Sequence, residues 1–226
     1  MTDLIVSLLV IVLTGIIVGV ILLLVSRHKK QKEELILKLA GEQGWRYEKI
    51  TGVHESGYAL SGEGWRFEST LLSSAQSSSS GSSEVSYSNH WFSDRCRSIA
   101  GLVLIGPRLP SANLGVMGEL ILQKALARML GSEAQEAAGL HEVEVQRTAL
   151  RERYAIWAVN DQEAASWLSF AVENALLNWK LKERPVVKLS SQGIEIRLRD
   201  GRLETPEDIL AVVQLGEAFI GSQEMR

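Results

Sequence analysis

The chain opens on an unbroken apolar run. Leu4 to Val25 is 22 residues without a charge, and Ser7 and Thr14 are its only polar members. Both hydroxyls can return to the backbone of a helix. At ~1.5 Å per residue the run spans ~33 Å, enough for a hydrocarbon core of ~30 Å. A cleaved signal peptide would need a basic start, a shorter apolar run and a small-x-small cleavage site. Here the start is Met-Thr-Asp, and Arg27-His28-Lys29-Lys30 follows the run. The pattern therefore predicts a retained transmembrane helix. Periodicity then changes, and Gln31 to Glu42 reads as a short helix with Leu35, Ile36, Leu39 and Ala40 on one face and Gly44 as its C-cap.

Alternation follows. Trp45-Arg46-Tyr47-Glu48, Tyr58-Ala59-Leu60 and Trp65-Arg66-Phe67 read as strands separated by Gly-rich turns. Gly-Trp-Arg-aromatic-Glu occurs at residues 44–48 and again at 64–68, which predicts two meander strands presenting aromatics to the same side. Residues 73–86 hold nine serines and little that is apolar, so they predict a loop that buries too little surface to offset its ordering entropy. Val85–Tyr87 and Trp91–Phe92 resume ordered structure, and Gly101 to Gly106 reads as a buried strand closed by Pro107 and Pro110. Val116–Leu130 is patterned as a helix, and Ser132 with Gln135 reads as the capping box of another. His141–Arg147 and Tyr154–Val159 alternate as strands. Asn160 or Asp161 caps a helix to about Trp179, with Ala164, Trp167, Leu168, Ala171 and Ala175 facing inward. Pro185–Leu189 and Ile194–Leu198 flank a Gly193 turn as a hairpin, and Pro206 opens a helix through Phe219.

These elements predict an α+β fold in which a single transmembrane helix precedes one domain with a mainly antiparallel sheet and packed helices. The expected layout is a short external N-terminus at 1–3, the membrane helix at 4–25, and a basic juxtamembrane segment at 26–32. A cytosolic domain at 33–226 with a Ser-rich loop at 73–86 completes it. Charge sharpens this picture. Residues 1–32 carry one acid against four bases, and residues 33–226 carry 26 acids against 20 bases. The positive-inside bias places Arg27 onward in the cytoplasm, at the cell (inner) membrane, with the N-terminus outside. A domain with net charge −6 lacks the clustered cations of a nucleic-acid binder. Gly15 and Gly19 form a GxxxG pattern that can bring two membrane helices together as a homodimer.

Residues 142–220 resemble an uncharacterised bacterial family of membrane-anchored proteins with a cytosolic α+β domain. That family's stretch reads Phe-Glu-x-x-Phe-x-Val-x-x-x-Asp-x-x-Glu-Ala. Leu150, Arg151, Tyr154, Ile156, Asn160, Glu163 and Ala164 fall on those positions, and Glu163-Ala164 matches outright. Leu150-Arg151 departs from Phe-Glu, and Asn160 replaces Asp with Asp161 beside it. The resemblance implies a bacterial membrane protein and the same fold. It implies no activity and no cofactor.

Candidate chemistry is sparse. One cysteine excludes an internal disulfide framework and any Cys-rich zinc site, and the four histidines make no i, i+4 pair, so no metal site is expected. Cys96 with His90 is the enzymatic candidate, as a thiolate beside an imidazole in a membrane-tethered hydrolase. Six tryptophans stand out among only 6% aromatics. Trp45, Trp65 and Trp91, with Arg46 and Arg66, are the expected binding surface for a protein partner of a membrane-tethered interaction or adaptor module. A purely structural envelope protein is the remaining alternative.

Overall fold

The computed structural model describes residues 2–74, 84–95, 101–108, 129, 139–199 and 201–224, at positions 2–13, 74, 84, 85, 223 and 224 by backbone alone. Helix α1 runs without a break over Thr2–Gln43. The short helix predicted over Gln31–Glu42 is thus the C-terminal continuation of the apolar segment. Ile36, Leu39 and Ala40 are buried as their spacing requires, whereas Leu35 is half exposed. Gly44 ends the helix at φ 69°, the left-handed geometry of a C-cap. Among the described residues no helix is long and apolar enough to cross a membrane. The predicted span lies outside their described side chains over residues 4–13.

Next come β1 (Arg46–Thr51), β2 (Glu55–Gly62), β3 (Trp65–Ser74), β4 (Glu84–Ser93), β5 (Val103–Pro107) and β6 (His141–Glu142). A short helix α2 (Thr148–Arg153) precedes β7 (Tyr154–Ala158) and the helices α3 (Asp161–Trp167) and α4 (Phe170–Leu177). Then β8 (Val186–Ser190), β9 (Gly193–Leu198) and helix α5 (Pro206–Glu224) complete the order. The strands form one antiparallel sheet in the order β1-β2-β3-β4-β9-β8-β5-β7-β6. The fold is α+β, with a mostly antiparallel sheet and packed helices.

Alternation decides the two faces. Tyr58, Leu60, Phe67, Trp91, Ile105, Ile156, Val187 and Ile196 are buried in one core with Ile36 and Leu39 of α1 and with Ile209, Val212, Val213 and Phe219 of α5. Leu104, Ala155 and Trp157 point to the opposite face and pack in a second cluster with Met129 and Leu140.

The structure departs from the sequence reading in several elements. The predicted Ser-rich loop is entered by strand at both ends, because Ser73 pairs with Val85 and Ser74 with Glu84. The helix expected over 161–179 is two. Leu168 leaves helical geometry at ψ 64°, and the Ser169 hydroxyl accepts from Val172 N–H at 3.3 Å to begin α4. That restart makes Val172 and Leu176 the fully buried positions of α4; Ala171 is exposed, and Leu168 and Ala175 are partly buried against the core as their spacing predicts. The strand expected over 141–147 stops at Glu142, although Val143 still donates to Ile156. The helices predicted over 116–130 and from Ser132 lie outside the described residues, apart from Met129, which is helical.

Candidate functional site

The β1–β2 hairpin folds back along α1. Trp45 N–H donates to Ala40 C=O at 2.8 Å, so β1 starts at the end of the helix and runs antiparallel to it. From Trp45 to Thr51 a strand rises ~20 Å, and from Gln43 back to Lys29 a helix falls ~21 Å. Thr51 therefore comes level with Lys29, and both line one cleft of about 220 Å³. A single water needs only about 10–15 Å³ of such space.

Charge dominates this cleft. Lys29 and Lys32 come from α1, Lys49 from β1, and Arg202 with Glu204 from the segment between β9 and α5. Glu33 is held by Lys49 at 2.7 Å and receives the Tyr47 hydroxyl at 3.4 Å. The hydrogen bond from Lys49 keeps the Glu33 carboxyl below the usual range, and burial raises the Tyr47 phenol. Lys32 pairs with Glu204. Four cations thus face two carboxylates. Arg202 stacks over the Tyr58 ring at 5.4 Å, stands 4.0 Å from Glu204, and has its Nε buried with no hydrogen-bond partner.

Buried polar groups on the sheet fix the loop that supplies Arg202. Asn89 on β4 donates through Nδ2 to Gly201 C=O at 2.7 Å and accepts from Leu203 N–H at 3.3 Å. Ser69 on β3 donates to the same Asn89 Oδ1 at 2.7 Å, and the Tyr58 hydroxyl donates to Leu203 C=O. A buried amide that makes all these bonds fixes the loop, because losing any of them leaves a dry donor or acceptor. Asn89 and Arg202 were not singled out in the sequence. Their roles rest on contacts more than a hundred residues apart in the chain, and no local pattern announces them.

The predicted indole–arginine surface is not assembled as expected. The indoles do cluster: Trp45 meets Trp65 edge-on at 5.2 Å, and Trp65 stacks with Trp91 at 6.2 Å. However, Trp65 and Trp91 are buried, and α5 lies so close on Trp91 that a Cβ at Gly216 would stand 2.3 Å from its ring. Arg66 points to the other face, where it meets Glu68 at 2.6 Å and Glu48 at 3.0 Å. Arg46 is exposed on β1. Neighbouring residues of a strand face opposite ways, so Trp65 and Arg66 cannot line one groove.

His90 lies on that outer face, with Nε2 at 3.5 Å from Glu195 on β9. Glu195 also meets Arg197 and sits opposite the buried Lys188 in register. His90 first, with Arg197 behind it, holds the Glu195 carboxyl down at about 2 against the upward push of burial. Cys96, the other half of the hydrolase reading, lies outside the described residues. No group of three His, Cys, Asp or Glu among the described residues is placed to hold a metal. Gly15 and Gly19 sit on the exposed part of α1, where an added Cβ would meet nothing within 4 Å.

No family model, curated protein or solved structure matches this chain.

Proposed function

We propose that the chain is a single-pass membrane protein of the bacterial inner membrane whose α+β domain is an interaction module held at the cytoplasmic surface. In this reading Leu4–Val25 crosses the bilayer, and Arg27, Lys29, Lys30 and Lys32 keep the following domain inside. One observation carries it: α1 is a single helix whose exposed apolar end leads directly into the domain core. Ile16 to Val25 present large side chains that are mostly half or more exposed, and 11 residues beyond Val25 the same helix buries Ile36. Water does not favour so long an exposed apolar surface, and a hydrocarbon layer does. With no linker between anchor and domain, the domain has a set distance from the bilayer. An anchor of this kind raises the concentration of the domain near membrane partners. Gly15 and Gly19 offer a close-approach face for a second copy.

Two measurements on cells expressing the full chain test the reading. The chain should stay in the membrane pellet after alkaline carbonate extraction. A protease should digest the domain in inverted vesicles and leave it intact in right-side-out spheroplasts. Release into the carbonate supernatant would overturn the membrane assignment, and digestion in intact spheroplasts would overturn the orientation.

A further inference from the structure

We infer that the cleft between α1, the β1–β2 hairpin and the Arg202 loop binds the phosphate of an anionic lipid headgroup from the cytoplasmic leaflet. This inference rests on the membrane reading above and assigns that module its first ligand. Position is the first argument. Lys29 follows Val25 by four residues, or ~6 Å of helix, and the headgroup layer is about 5–7 Å thick on each side of the hydrocarbon. The cleft begins where phosphates lie.

Charge is the second. Lys29, Lys32, Lys49 and Arg202 line the cleft with only Glu33 and Glu204 against them, so an anion completes it. Arg202 stands 4.0 Å from Glu204 through its Nε, too far for a hydrogen bond, and its planar guanidinium suits the oxygen geometry of a phosphate. Shape is the third. The cleft is roomy enough for a headgroup, and the Asn89 bonds hold Arg202 on its far wall before any ligand arrives. The tip of the same hairpin fits the bilayer too: Val53, in the β1–β2 turn, is 91% exposed.

The test compares spin-labelled phosphatidylglycerol with spin-labelled phosphatidylcholine around the full chain in phosphatidylcholine vesicles. Electron paramagnetic resonance reads the motionally restricted fraction of each. The wild-type chain should prefer phosphatidylglycerol, and Arg202→Gln should lower that preference by about five-fold, the equivalent of one basic residue at a membrane surface. Lys29→Gln should lower it about five-fold more than Lys30→Gln does. These two lysines are adjacent on the helix, yet only Lys29 lines the cleft. Lys29 is exposed, so this pair decides the matter should Arg202→Gln, packed on Tyr58, fail to fold.

Equal losses from Lys29→Gln and Lys30→Gln would mean diffuse attraction and sink the cleft. Loss of the preference on adding inorganic phosphate to the aqueous phase would assign the site to a soluble anion instead. A chain that stays embedded but shows no lipid preference overturns the cleft alone. A chain that carbonate strips from the vesicles overturns the membrane reading and the lipid source together.

Discussion

Glu195 is a carboxylate held on a sheet face by His90 and Arg197, and its titration should be visible in stability. Its carboxyl is lowered from 4.5 to about 2, first by His90 and then by Arg197. A depressed carboxyl stabilises the fold while ionised, so the contribution is complete above the unfolded value. It is lost as pH falls from 4.5 toward 2. Its size is on the order of 2–3 kcal/mol. Urea unfolding of the detergent-held chain, repeated from neutral pH downward, should show Glu195→Gln less stable than wild type near neutrality, with the gap closing across that acid window. A constant gap at every pH would show that Glu195 contributes through packing and not through charge. At this scale the sequence was partly legible. The alternation of Trp65, Arg66 and Phe67 is plain, and it already implies that an indole and its neighbouring guanidinium part company across a strand. The pairing of Glu195 with His90 and the loop that Asn89 holds were not legible, because these groups are distant in the chain and only tertiary folding brings them alongside, whereas Arg197 lies two residues from Glu195 on its own strand.

At the scale of elements, hairpins and helix starts were readable where a local group enforces them. Asn160 accepts from Gln162 N–H and Glu163 N–H, and Gly193 takes φ 140° at the β8–β9 turn, where a Cβ would collide with the Ser93 carbonyl at 2.2 Å. The break between α3 and α4 was hidden, since Trp167, Leu168, Ala171 and Ala175 continue a helical apolar period straight through it. Ser169 decides the matter by capping its own helix, which a serine inside a periodic run does not advertise. Ser169→Ala removes that acceptor from the first turn of α4. The chain should lose about 0.5–2 kcal/mol of unfolding free energy in urea. Far-UV circular dichroism should hold steady, because Val172 and Leu176 still anchor α4 in the core. A variant as stable as wild type would mean that core packing alone fixes the break.

For the whole molecule, the unbroken α1 ties the depth of each domain segment to its height along the helix. The β1–β2 turn extends past Thr51 toward the apolar end, and Val53, two residues beyond the six-residue β1, lies at most ~26 Å back along α1 from Trp45. That distance is ~17 helical residues, which takes the turn no farther than about the level of Ser26. The β2–β3 turn at Glu63 and Gly64 lies at the opposite end of the same strands. If the domain rests on a bilayer as proposed, these two turns have opposite surroundings. A nitroxide at Val53→Cys, in a Cys96→Ser background, should collide frequently with a nickel chelate carried on lipid headgroups. The same label at Glu63→Cys should collide mainly with a soluble chelate. Breaking the helix with a Gly-Gly insertion after Lys30 should erase the contrast, because a hinge there frees the tilt of the domain while leaving the anchor in place. Equal collision profiles at the two turns in the uninterrupted chain would mean that the hairpin does not face the membrane.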